Sequence, residues 1–176
     1  MQNKEQKGKK RKPTPVFLGQ MVLVALLMWG VGSYIGSRVS LGIDGQKGGK
    51  CLPYNYYLID KGDHSVPTGG YLAFLLDKRA EPWFPEHAMF VKQLVAAEGD
   101  HVQVQGREVL VNGFPVGQLD PKVMGKTGQD ERTYARDQVL QPGELWVMGT
   151  APDSFDSRYW GPINSNMLVG QVHPIY

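Results

Sequence analysis

Between Lys12 and Arg38 the chain carries no charged side chain, and the twenty residues from Val16 to Ile35, VFLGQMVLVALLMWGVGSYI, hold amide or hydroxyl groups only at Gln20, Ser33 and Tyr34. The hydrocarbon core of a bilayer asks for about 20 residues of this kind in a helix. A helix is also the form in which such a run satisfies its own backbone groups without water. The stretch therefore divides the chain into a short tail before it and a water-soluble part after it. In the tail Lys4, Lys7, Lys9, Lys10, Arg11 and Lys12 face the single acid Glu5. The excess of Lys and Arg on that side places the tail in the cytoplasm and everything after Arg38 across the membrane. A cleaved leader would show an apolar core of about 7 to 15 residues and a small-x-small exit. No Ala-x-Ala follows the run, so a retained anchor is expected. Gly32 and Gly36 form a GxxxG within it, a spacing that lets two such helices approach closely.

The expected organisation is a basic cytoplasmic tail over residues 1–14, a transmembrane helix over 15–37, a glycine-rich linker over 38–50 and a β-rich domain over 51–176. With 176 residues in all, one ordinary domain fits and two do not. After the linker the apolar residues come in short runs, YNYYLI, YLAFLL, MFVKQLV, HVQVQG, REVLVNG and ELWVMG, separated by Gly, Pro, Asp or Asn. No stretch after Ile35 keeps a helical period for three turns, so the domain reads as mainly β. Val102 and Val104 alternate with polar residues, as do Val109 and Val111, with turn signals at Gly106 and Asn112-Gly113. Residues 117–140 are polar and read as an exposed excursion. One cysteine, Cys51, cannot build a disulfide framework, so the fold must rest on an ordinary core.

Net charge is only +2 and the basic cluster is confined to the tail, so no nucleic-acid partner is expected. His64, His87, His101 and His173 are scattered without metal-ligand spacing, which argues against a zinc enzyme. No phosphate-binding glycine loop is present and no cofactor is expected.

Chemistry concentrates at Lys92, in HAMFVKQLVAAEGDHV. On a strand it shares a face with Phe90 and Leu94, while Val91 and Gln93 share the other. If Lys92 points inward, burial disfavours the ammonium and leaves an amine able to act as a base. If Val91 and Gln93 point inward, Lys92 is an ordinary lysine on a wet face. A base needs a nucleophile, and two residues qualify: Cys51 in KCLPYNYYLI and Ser65 in HSVPTGG, each followed by x-Pro. Near the C-terminus DSFDSRYWGP crowds Asp153, Asp156, Arg158, Tyr159 and Trp160 into ten residues, more charge and ring than a surface turn requires.

These blocks resemble, in order, those of the type I signal peptidase family of membrane-anchored Ser/Lys endopeptidases, and most of all its TraF-type branch, which matures pilin subunits in conjugative transfer. CLPYNYY resembles the nucleophile box Ser-Met-Pro, GGYLAF the Gly-Asp-hydrophobic box, VKQLVAAEGDHV the lysine box, and DSFDSRYWGP the closing Ser-x-Asp-Ser-Arg box. The resemblance implies a signal-peptidase-like β domain on a single N-terminal transmembrane helix, with the peptidase domain of residues 51–176 in the periplasm and the anchor in the inner (cytoplasmic) membrane. It implies Lys92 as general base, Ser154 as the hydroxyl that hydrogen-bonds it, and Asp156 with Arg158 as an ion pair that stiffens the site, Tyr159 and Trp160 packing beneath. The partners it implies are a pilin or other preprotein substrate and the membrane.

At the nucleophile the chain departs from the pattern, because Cys51 stands where the family has serine. Ser65 falls only four residues before Gly69 of the second block, which favours Cys51, although SVPT is itself a fair copy of Ser-x-Pro-Thr and keeps Ser65 as the alternative nucleophile. Two further departures are Gly69-Gly70 where the family has Gly-Asp, and GTAPD where it leads into the last block with Gly-Asp-Asn-Arg. A cysteine would react through a thioester, an intermediate that readily accepts an amine, and some TraF-type enzymes join the new pilin C-terminus to its N-terminus. The reading is a peptidase that matures, and on this chemistry can cyclise, a conjugative pilin. The competing reading is a catalytically inactive relative that serves as an assembly or pilin-binding factor of a secretion channel.

Overall fold

The computed structural model describes residues 14–45 and 50–175, so the basic tail, apart from Thr14, lies outside the described residues. Helix α1 (Pro15–Arg38) begins where Thr14 Oγ1 accepts the Phe17 N–H at 3.3 Å, a side-chain cap with proline at the first helical position. All its residues are exposed, and it is long and apolar enough to cross a membrane. The described residues up to Ser37 form one unit and those from Arg38 onward another.

In the second unit the chain enters a strand at once. β1 (Val39–Ile43) pairs antiparallel with β2 (Tyr56–Asp60), Val39 opposite Asp60 and Ile43 opposite Tyr56. The expected linker over 38–50 is therefore corrected in its first part. Val39, Leu41 and Ile43 do alternate, but the glycine between them masks the pattern. A Cβ at Gly42 would sit 3.4 Å from Ile59 Cδ1, an ordinary contact distance.

β3 (Tyr71–Leu75) and β4 (Met89–Ala96) come next, and then β5 (His101–Gln105), β6 (Glu108–Val111) and β7 (Phe114–Gln118) form the expected meander. Its first turn carries Gly106 at φ 57°, and its second Asn112 at 52° and Gly113 at 82°, the left-handed pair that a tight hairpin requires. Helix α2 (Pro121–Thr127), capped by Asp120, leads to β8 (Arg136–Val139), β9 (Glu144–Met148), the short helix α3 (Ser157–Trp160), β10 (Ile163–Asn164) and β11 (Leu168–Pro174). The strands make a seven-stranded sheet in the order β1-β2-β11-β3-β4-β9-β10 and a four-stranded one in the order β7-β6-β5-β8, with every pairing antiparallel. The domain is mainly β.

Residues 117–140 are not the exposed excursion their polarity suggests. Leu119, Val123, Tyr134 and Leu140 join the core cluster of Val102, Val104, Val109 and Val111. Four well-spaced anchors suffice to bury a segment whose other residues stay wet. A second cluster, on one face of the large sheet, packs Leu72, Phe74, Phe90 and Leu94 with Val147, Trp160 and Ile163. A third holds Leu52, Tyr57, Ile59, Ala73 and Val172. β4 fixes the direction of the lysine. Phe90, Lys92, Leu94 and Ala96 are buried along it while Val91, Gln93 and Val95 are half-buried, so Lys92 lies on the inward face.

Candidate active site

Leu72 of β3 stands opposite Lys92 in the sheet, and Phe74 opposite Phe90. The lysine is 1% exposed, among the largest fully buried side chains of the domain. Its amine donates to Ser154 Oγ at 2.7 Å. Among the described residues no carboxylate forms an ion pair with it.

Ser154 is held by a buried network. Asp156 caps α3 and is itself inaccessible, and Arg158 is 2% exposed. Arg158 Nε donates to Asp156 Oδ1 and Nη2 to Oδ2, each at 2.8 Å, the two-pronged geometry that guanidinium and carboxylate share. Burial alone would lower the Arg158 guanidinium's proton affinity, but the hydrogen bonds and charge of Asp156 outweigh it and hold it above its ordinary value. The remaining donors go to backbone carbonyls: Nη1 to Gln118 O and Pro152 O, Nη2 to Ala151 O and Ser154 O. One cation thus holds the turn on which Ser154 sits. Asp156 Oδ2 also accepts the Gly149 N–H at 2.9 Å, tying that turn to the end of β9.

Cys51 comes to the same turn from the other side. Its carbonyl accepts the Ala151 N–H at 3.2 Å and the Thr150 hydroxyl at 3.4 Å. Gly149 is tight against both partners, since a Cβ there would sit 2.2 Å from Ser154 Oγ and 2.8 Å from Cys51 O. Cys51 and Lys92 line one cleft of about 430 Å³, together with Gly42 to Gly45, Leu52, Tyr57, Phe84, Met89 and Phe90. Within it Tyr57 donates its hydroxyl to Tyr54 O at 2.9 Å. Burial pushes the Tyr57 phenol up to about 12, with Asp44 and Cys51 adding to the effect.

Ser65 lies elsewhere. It is exposed, and its hydroxyl and N–H both go to Asp63 Oδ1, which hold the Asp63 carboxyl below its usual range. Ser65 is not among the residues lining the cleft. Trp160 packs against Phe90 with ring centroids 5.6 Å apart, on the Lys92 face of the sheet, whereas Tyr159 belongs to the other cluster, beside Tyr134. Only one of the two rings expected beneath the lysine is therefore there. Three participants escape the sequence reading: Gly149, Tyr57 and Ser157, whose Oγ accepts the Val147 N–H at 3.0 Å. Gly149 had a visible signal in its place at the end of an apolar run, and Ser157 had one in the crowded final block.

This arrangement of buried lysine, serine and Asp-Arg pair across a β cleft accompanies a match over residues 20–176 to the family described as signal peptidase, peptidase S26. The chain belongs to the peptidase S26 family. This S26 member is 30% identical over 94 residues to the conjugal transfer protein TraF of Agrobacterium fabrum, covering 53% of this chain and 51% of the relative. It is 30% identical over 95 residues to the plasmid transfer protein TraF of Escherichia coli, covering 51% and 52%. The same identity over 95 residues relates it to the chloroplastic thylakoidal processing peptidase 1 of Arabidopsis thaliana, covering 50% of this chain and 26% of the relative. The match thus spans about half the length of the two TraF proteins and about a quarter of the plastid one. A crystal structure of a signal peptidase I from Enterococcus faecalis V583 aligns with 61% of the S26 member and 96% of its own chain, at 17% identity and a TM-score of 0.39.

Proposed function

We propose that this S26 member is a membrane-anchored endopeptidase in which Cys51 is the nucleophile and Lys92 the general base. The observation that carries the reading is the buried Lys92 amine, hydrogen-bonded to Ser154 and lining the same cleft as Cys51. Lys92 takes the proton of the Cys51 thiol and the sulfur attacks the scissile carbonyl. The tetrahedral intermediate collapses with loss of the C–N bond, and Lys92 returns the proton to the leaving amine, leaving a thioester on Cys51. Water, deprotonated by Lys92, then attacks the thioester, releasing the new C-terminal carboxylate and restoring the thiol. Ser154 keeps the amine aimed, and Asp156 with Arg158 keeps Ser154 in place.

The substrate is a translocated precursor cut after small residues. The two TraF relatives, named for conjugal and plasmid transfer, support a substrate that belongs to a conjugation apparatus, and the reading takes it to be a pilin subunit. An amine in place of water at the thioester would cyclise it. The helix Pro15–Arg38 serves as a single-pass anchor in the inner membrane, with the tail cytoplasmic and residues after Arg38 periplasmic. Mass spectrometry of the precursor in cells carrying Cys51→Ala or Ser65→Ala tests the reading. Loss of processing only with Cys51→Ala is expected. Loss only with Ser65→Ala moves the nucleophile to Ser65, and loss with neither favours the non-catalytic assembly factor. Linear mature product alone, by intact mass, removes cyclisation.

A further inference from the structure

Cys51 is held through its own carbonyl by a segment that also holds the base, and one of the two donors is a side chain. The Thr150 hydroxyl and the Ala151 N–H both reach Cys51 O, at 3.4 and 3.2 Å. A few residues further on, the same turn closes with Ser154 N–H to Ala151 O at 3.1 Å, and Ser154 Oγ receives Lys92 at 2.7 Å. Nucleophile and base are thus both referenced to residues 149–154. A hydroxyl can donate to a carbonyl, whereas an ionised aspartate in its place could only accept.

We propose that Thr150 is a positioning residue for Cys51: its hydroxyl, with the Ala151 N–H, fixes the Cys51 peptide so that the sulfur stays in register with Lys92 held by Ser154. This rests on Cys51 and Lys92 being nucleophile and base. Two features of the site suit such a role. Thr150 is exposed, so its substitution leaves the core intact, and Gly149 beside it packs closely against Ser154 and the Cys51 carbonyl. Cys51 and Lys92 line the same cleft, and a thiol's reactivity follows how its sulfur is placed toward its neighbours.

The test is alkylation of Cys51 by iodoacetamide in the full-length protein in detergent, followed by intact mass from pH 6 to pH 10. It needs no substrate. Thr150→Val is expected to slow alkylation about three- to tenfold near pH 7, the factor that one neutral hydrogen bond is worth, and to match wild type at pH 10, where ordinary thiols are ionised. Thr150→Ser, which keeps the donor, is expected to follow the wild-type profile, and Thr150→Asp to follow Thr150→Val. A Thr150→Val profile identical to wild type, or one lowered equally at every pH as an access effect would be, overturns the proposal. Lys92→Met, which removes the amine without opening a cavity, separates the two levels. If it shifts the profile while Thr150→Val does not, the positioning role fails alone. If Lys92→Met leaves the profile unchanged, the pairing of Cys51 with Lys92 fails and takes the positioning role with it.

Discussion

The side chain of Lys92 has a long apolar stem, and its amine is hydrogen-bonded to Ser154. Methionine has nearly the same length and flexibility without the amine, so it can occupy the same slot between Leu72, Phe90 and Leu94. Lys92→Met is expected to unfold within a few degrees of wild type or above it, and to show no precursor processing in cells. A variant that still cleaves would sink the general-base role, whereas Lys92→Ala would confuse that result with the cost of a cavity. Tyr57 offers a second measurement at this scale. Its phenol is raised from its ordinary value near 10 to about 12 because the ionised form is disfavoured in the cleft. The folded state therefore holds this proton more tightly than the unfolded chain does. The resulting stability is present in full below pH 10 and is lost as pH rises through about 12. Urea unfolding at pH 8 and pH 11 should show a drop in wild type that is smaller in Tyr57→Phe. Neither role was decidable from the residues. Phe90 and Leu94 on one face of β4 and Val91 and Val95 on the other are equally apolar, so alternation cannot choose between them. What decides is Trp160, brought from far along the chain onto the Phe90 face.

At the scale of elements, the segment from Gly149 to Trp160 has almost no regular structure and a large share of the buried polar contacts. Its stiffness comes from Arg158, which joins four carbonyls and a carboxylate. Removing the carboxylate's charge leaves a buried guanidinium uncompensated, which costs about 3 to 5 kcal/mol when one partner of a buried pair is lost. Asp156→Asn is therefore expected to lower the unfolding midpoint markedly and to reduce processing with it. Replacement of Arg158 by lysine is expected to fail as well, because an ammonium cannot make the same planar, many-armed contact. A melting temperature unchanged in either variant would show that the turn stands without the pair. This segment was legible in the sequence because its charges and rings are adjacent there. β1 and residues 117–140 were not. In the first a glycine interrupts a five-residue alternation, and in the second the four buried residues are too far apart to show a period.

For the molecule as a whole, the division at Arg38 carries a consequence for where the soluble part begins. The second unit contains all three core clusters and the candidate site, so a chain starting at Arg38 is expected to fold and to keep the alkylation profile of Cys51. The glycine-rich composition of residues 38–50 would suggest starting at Cys51 instead. That choice removes β1, uncovers the outer edge of β2 from Val39 opposite Asp60 to Ile43 opposite Tyr56, and deletes Gly42 to Gly45 from the wall of the cleft. It also deletes the Arg38 carbonyl that accepts the Lys61 N–H at 2.7 Å. For a domain of this size each kcal/mol of lost stability lowers the melting temperature by about 4 °C. The shorter chain should therefore melt several degrees below the longer one, aggregate through the exposed edge of β2, and alkylate at Cys51 with an altered pH profile. Differential scanning fluorimetry and alkylation of the two chains side by side decide the matter. Equal melting temperatures and equal profiles would mean that Val39–Ile43 is dispensable to both the sheet and the cleft, and that the domain does begin at Cys51.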